Sequence, residues 1–113
     1  MKNLDAQINE IGFNIVEKIK AHKDKTKLKN EIEKTLGVLV NDGVYAYWVY
    51  CKSKKITDIF IDEIQKLKRV VNSEQDNQKF FQNLSTDLNQ LLFFKEILEK
   101  TLTYARYHAK VMD

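Results

Sequence analysis

Between residues 4 and 22 apolar side chains return at every third or fourth position, as Leu4, Ile8, Ile11, Ile15 and Ile19. That spacing predicts one amphipathic helix, with Phe13 and Val16 widening the stripe and Glu10, Glu17, Lys18 and Lys20 turned to water. Residues 21–29 are rich in lysine and almost without apolar side chains, so they read as a helix end and a connection. A second stripe follows in Leu28, Ile32, Leu36 and Leu39. Asn41-Asp42-Gly43 then interrupts it, either as a turn or as a kink where Asp42 caps the next helix. From Val44 to Cys51 there is no charged side chain, and Tyr45, Tyr47, Trp48 and Tyr50 fall inside the run. A helix here is apolar on every side and belongs in the middle of a bundle. It ends abruptly at Lys52-Ser53-Lys54-Lys55, a basic tip that must face water or an anion.

Ile56, Ile59, Phe60, Ile64, Leu67 and Val71 predict a fourth segment starting near Thr57 or Asp58. Asn72 to Gln78 is polar and reads as a loop, with a turn of helix around Lys79-Phe80-Phe81. Ser85-Thr86-Asp87 offers three good capping residues for a last helix that runs nearly to the end. Along it Leu91, Phe94, Leu98, Leu102, Ala105, Ala109 and Met112 repeat at steps of three and four, a seam against partner helices. Phe93, Ile97, Tyr104, Tyr107 and Val111 form a second apolar edge, so this helix is expected to be covered on two sides. The pattern predicts an all-α fold. Residues 1–113 are expected to form one compact bundle of about five helices with a long C-terminal helix, with no internal repeat or linker in the sequence to divide it.

Composition agrees. The 113 residues include no proline and only three glycines, which leaves little to break a helix or build hairpin turns. The formal charge of +3 permits an acidic partner without demanding one. A single cysteine, Cys51, rules out an internal disulfide framework and suits a reducing compartment. The segment Met1-Lys2-Asn3-Leu4-Asp5 carries no apolar signal region, and no apolar run approaches a membrane span. The expected location is cytoplasmic, with no membrane partner.

Catalytic constellations are sparse, and no enzymatic activity is expected. Neither His22 nor His108 stands three residues after a glutamate, unlike the ligand pairs of di-iron bundles. One cysteine and two distant histidines do not make a structural zinc site, and no glycine-rich loop offers a phosphate cradle. No metal, cofactor or small-molecule substrate is therefore expected. Cys51 among Trp48, Val49 and Tyr50 reads as core rather than as a nucleophile, since only Lys52 stands near enough to lower its pKa. His108 as a phosphate-accepting histidine is a distant alternative, because no glycine follows it.

The informative charges are cations without an acidic neighbour at helical spacing. Lys95 pairs with Glu99 and Lys100 with Glu96 on the last helix. Arg106 has no such partner, and Lys110 on the same face has only Asp113 nearby. Lys52, Lys54 and Lys55 are unopposed from behind, and Asp58 offsets Lys54 or Lys55 only if the helix continues unbroken. Unpaired cations of this kind keep their full field for phosphate contacts. Lys52, Lys54, Lys55, Arg106 and Lys110 are thus the candidate anion-binding residues, expected to share one surface.

Two runs carry a resemblance. Residues 34–54, from Lys34-Thr35-Leu36-Gly37 through Asn41-Asp42-Gly43 to Trp48 and Lys52-Ser53-Lys54, resemble the central motif of the small α-helical subunit of the type III-B CRISPR (Cmr) effector complex. That motif is an apolar helix, an Asn-Gly step and a second apolar helix with a Ser-Lys-like tip. The run KEILEKTLTYARYHAKVMD, residues 95–113, is similar to the family's closing helix, with Glu96, Leu98, Leu102, Tyr104, Arg106, Ala109 and Met112 at fitting places. The family's Asn-Gly-Leu-Gly appears here as Asn41-Asp42-Gly43-Val44, and Arg106 alone remains of its basic pair. The resemblance implies a non-catalytic structural subunit in antiviral defence. Its partners would be other subunits of the effector complex and neighbouring copies of itself, stacked as a minor filament. Its cations would contact the backbone of guide and target RNA, with sequence read by base pairing. The alternative is a helical protein–protein adaptor without nucleic-acid contact, docking through Phe93, Ile97, Tyr104 and Tyr107.

Overall fold

Asn3 opens the first helix, its side-chain oxygen accepting the Ala6 N–H at 2.8 Å. Helix α1 spans Leu4–Lys20. The computed structural model describes residues 3–112; Met1, Lys2 and Asp113, the acidic neighbour expected for Lys110, lie outside the described residues. Among those described, helices and short connections make up the whole architecture, an all-α bundle ending in a long helix.

Helix α2, Lys25–Asp42, starts earlier than the apolar stripe predicts, because the lysines before Leu28 already form its first turn. Only residues 21–24 connect it to α1, a turn in which His22 Nδ1 accepts the Asp24 N–H at 3.0 Å. Asp42 is the last residue of α2 rather than a cap for its successor. Reversal falls on Gly43 alone, whose φ of 96° lies where side chains are rarely tolerated. Its N–H still donates to Leu39 O, and its carbonyl accepts the Tyr47 N–H, so one residue both closes α2 and opens α3.

Helix α3, Val44–Lys54, departs from expectation. Val44, Tyr47, Trp48 and Cys51 are buried, but Tyr45 is 38% and Val49 46% exposed, so the aromatic helix lies on the bundle rather than inside it. The hub is the last helix, α7 (Leu88–Lys110), which packs against α1, α2, α3 and the two short helices Gln65–Val71 and Asn77–Leu84. Asp87 opens it by accepting the Gln90 N–H at 3.1 Å.

The predicted fourth segment is broken into α4 (Thr57–Phe60), a 3-10 turn (Asp62–Ile64) and α5 (Gln65–Val71). Ile59, Phe60 and Ile61 are all buried, and three successive residues sweep about 200° of a helix. No straight helix turns all three into one core, so the chain bends. Helix α6, Asn77–Leu84, begins before the predicted turn because Asp76 caps it, accepting the Lys79 N–H at 3.0 Å. The connection 72–76 is held from beneath by Lys68, a buried ammonium that forms no ion pair with another described residue. Its three protons go to Gln65 Oε1 at 3.1 Å, Gln75 O at 3.3 Å and Asn77 Oδ1 at 2.6 Å, and Nζ sits 4.9 Å from the Phe80 ring centroid. Burial lowers its pKa.

Buried side chains form one core. At its centre Trp48 stacks on Phe81 at 5.2 Å, and Phe80 meets Phe81 and Phe94 edge-on. Helices α1 and α7 come close at Gly12, where an added Cβ would stand 3.0 Å from Thr101 O, Ala105 N and Tyr104 Cβ. Phe94, Leu98, Leu102, Ala105 and Ala109 bury the predicted seam of α7. Its second edge is not covered: Ile97 alone is buried, while Phe93, Tyr104, Tyr107 and Val111 are exposed. Among the described residues no helix is long and apolar enough to cross a membrane.

Candidate nucleic-acid interface

The basic tip of α3 is built by the way that helix stops. The Ile56 N–H donates to Cys51 O at 3.0 Å and the Lys55 N–H to Lys52 O at 3.1 Å, the paired bonds of a Schellman ending. Lys55 takes the left-handed position usually given to glycine, with φ 59° and ψ 42°. Burial of Ile56 immediately after it holds the chain there. The break removes the continuous helix on which Asp58 would have offset Lys54 or Lys55.

Lys52 and Lys54 fold back over the aromatic residues that precede them. Lys52 Nζ lies 5.1 Å from the Trp48 ring centroid and Lys54 Nζ 5.7 Å from that of Tyr50. Such contacts hold an ammonium without neutralising it, and the α3 C-terminus adds a favourable dipole. Among the described residues none of Lys52, Lys54 and Lys55 forms an ion pair.

The rings beneath are pinned through their polar ends. The Tyr47 hydroxyl donates to Phe60 O at 2.6 Å, and the Trp48 indole N–H to Gln78 Oε1 at 2.8 Å. The Tyr50 hydroxyl donates to the buried Glu31 carboxylate at 3.1 Å and 3.2 Å. Burial and then Glu31 push Tyr50 up to about 12. Burial pushes the Cys51 thiol from 9.0 to about 12, so it stays protonated and is core rather than nucleophile.

The second cationic group lies on α7. Arg106 is not uncompensated as its own helix suggests: Nη1 lies 3.8 Å from Glu33 Oε2 on α2. Its Nε is buried and has no hydrogen-bond acceptor among the described residues. The guanidinium carbon lies 5.8 Å and Lys110 Nζ 5.5 Å from the Tyr107 ring centroid. Lys110 forms no ion pair with another described residue. Lys95–Glu99 and Lys100–Glu96 pair at 3.9 and 3.6 Å, the helical spacing the sequence predicts.

The five cations therefore form two groups instead of one surface. Tyr50 of α3 reaches α2 at Glu31 and Arg106 of α7 reaches it at Glu33, two residues apart and so about 200° around the helix. Lys54, over the Tyr50 ring, and Arg106 thus reach α2 from different sides, while Lys52 leans over Trp48, whose indole bonds to Gln78 on α6. The outer ridge of α2 carries exposed Lys27, Asn30 and Lys34, of which Lys34 leans to Glu31 at 3.7 Å. Sequence reasoning passed over Lys27 and Lys34, for only packing places them on that ridge. His108 is tied to Asn9 Oδ1 at 3.0 Å and lies edge-on to Phe13. Among the described residues no group of three or more His, Cys, Asp or Glu could hold a metal ion. No family model, curated protein or solved structure matches the chain.

Proposed function

We propose that this chain is a non-catalytic structural subunit of a type III-B CRISPR RNA-guided effector complex, stacking with copies of itself beside the guide–target RNA. Two supports stand behind this reading: the motif runs at residues 34–54 and 95–113, and the cations Lys52, Lys54 and Lys55 at the α3 tip with Arg106 and Lys110 on α7. The observation that carries it is the α3 tip, where lysines rest on aromatic rings and none forms an ion pair with a described residue. Phosphate contacts there read backbone charge and shape, and repetition along a filament multiplies a few weak contacts.

The test is reassembly of the complex with Lys54→Glu and with Arg106→Glu, followed by target-RNA affinity against salt. Each lost contact lowers the log–log slope by roughly 0.7–0.9. An unchanged slope and affinity for both variants excludes these residues from the RNA path.

A second reading, a helical adaptor that binds only protein, is favoured by the exposed Leu88, Leu92 and Phe93 at the start of α7. Under it, Leu92→Glu abolishes association while the charge reversals leave it intact.

A further inference from the structure

The exposed face of α7 has an order that the backbone-contact reading does not use. Lys100, Tyr104, Tyr107 and Lys110 follow one another at steps of four, three and three, so neighbouring side chains line one side of the helix. The row runs from Lys100, which pairs with Glu96, over two aromatic rings to Lys110, about 15 Å from end to end at 1.5 Å per residue. Tyr104 is 41% and Tyr107 56% exposed. Both line a shallow groove of about 360 Å³ with Asp5, Lys100 and Thr103. Arg106 joins Lys110 at the Tyr107 ring.

Aromatic rings of this size are normally buried, and a buried tyrosine hydroxyl normally has an acceptor. Here the rings lie out, with Arg106 and Lys110 at the Tyr107 ring. A polyanion alone would need only the charges, and an apolar partner only the rings. A ligand that offers flat π-faces and phosphates along one chain uses both. Asp5 is the carboxylate of the groove: it repels phosphate there but accepts from a ribose hydroxyl or an exocyclic amine.

We propose that Tyr104 and Tyr107 form a stacking platform for unpaired bases of single-stranded RNA, with Arg106 and Lys110 holding the adjoining phosphates. This rests on the RNA reading above and adds the state of the ligand: a strand whose bases are not yet paired. A duplex presents phosphates but hides its base faces, so it gains only the charge contacts.

The full-length chain is titrated by fluorescence anisotropy with a mixed-sequence 12-nucleotide RNA. The comparisons are an abasic ribose-phosphate chain of equal length, a 12-base-pair RNA duplex and a polyglutamate of equal charge. The single strand binds at least roughly 5-fold tighter than the abasic chain or the duplex, the gain from one stacked base. Tyr107→Leu erases that preference, Tyr107→Phe keeps it, and Arg106→Gln weakens all three RNA probes alike; circular dichroism melting verifies that each variant is folded. Equal binding of single-stranded and abasic RNA, or a preference that survives Tyr107→Leu with Tyr104→Leu, overturns the platform while leaving backbone contact standing. Absence of binding to every RNA probe overturns both. Polyglutamate binding as tightly as the single strand also overturns the platform, in favour of an acidic peptide.

Discussion

Two aromatic stretches of this molecule look alike in composition and behave in opposite ways. On α3, Tyr47, Trp48 and Tyr50 direct their polar atoms inward, to Phe60 O, Gln78 and Glu31. On α7, Tyr104 and Tyr107 lie in solvent with Arg106 and Lys110 around the Tyr107 ring. Where each hydroxyl or indole N–H finds its acceptor decides the role. A ring whose polar atom is satisfied within the fold is part of the framework, whereas a ring left outside among cations is available to a ligand.

The strongest way to break this comparison is truncation. Tyr47→Ala removes a buried ring and orphans the Phe60 carbonyl, and is expected to cost about 3–5 kcal/mol. Tyr107→Ala is expected to stay within about 0.5 kcal/mol. Urea unfolding of the two variants measures both; similar costs would erase the distinction.

Alkaline titration probes the α3 side next. The folded protein holds the Cys51 proton up to about 12, while the unfolded thiol releases it near 9.0. The unfolded state therefore loses its proton first, and stability falls as pH rises from about 9 towards 12, by about 1.4 kcal/mol per unit from this group. Tyr50, raised to about 12, steepens the fall above pH 10. Burial lowers Lys68 and acts in the opposite sense, so the thiol is isolated by comparing urea midpoints of the parent with Cys51→Ala, whose curve is flatter.

The smaller effect separates two lysines that each face a ring. Lys68→Ala removes a buried side chain and the donor to three part-buried acceptors, and is expected to cost about 1–3 kcal/mol. Lys110→Ala, at a solvent-facing ring, is expected to change thermal stability by less than about 1 kcal/mol while still weakening RNA binding. Thermal melts and the anisotropy titration read the two outcomes.

Much of the fold is legible along the chain, since α1, α2 and α7 bury stripes spaced at three and four, and Asp87 caps where expected. The site is less so. Periodicity says that Val44 to Cys51 is apolar, but Tyr45 and Val49 stay exposed because too few neighbours surround α3 to cover every side. The split at Ile61 and the Arg106–Glu33 pair are tertiary facts: each depends on a neighbour distant in sequence. Gly12 left a usable trace, a glycine inside a strongly periodic helix, where it costs about 1 kcal/mol unless a close crossing needs it.

Gly43 carries a consequence for how the chain tolerates change in length. With one residue between α2 and α3, that junction has no slack to absorb an insertion. Adding a residue there would roll α3 by about 100° about its own axis. Tyr47 and Cys51 would swing out of the core, and the lysines at the far end would turn with them. The brevity of the hinge is thus what aims the basic tip.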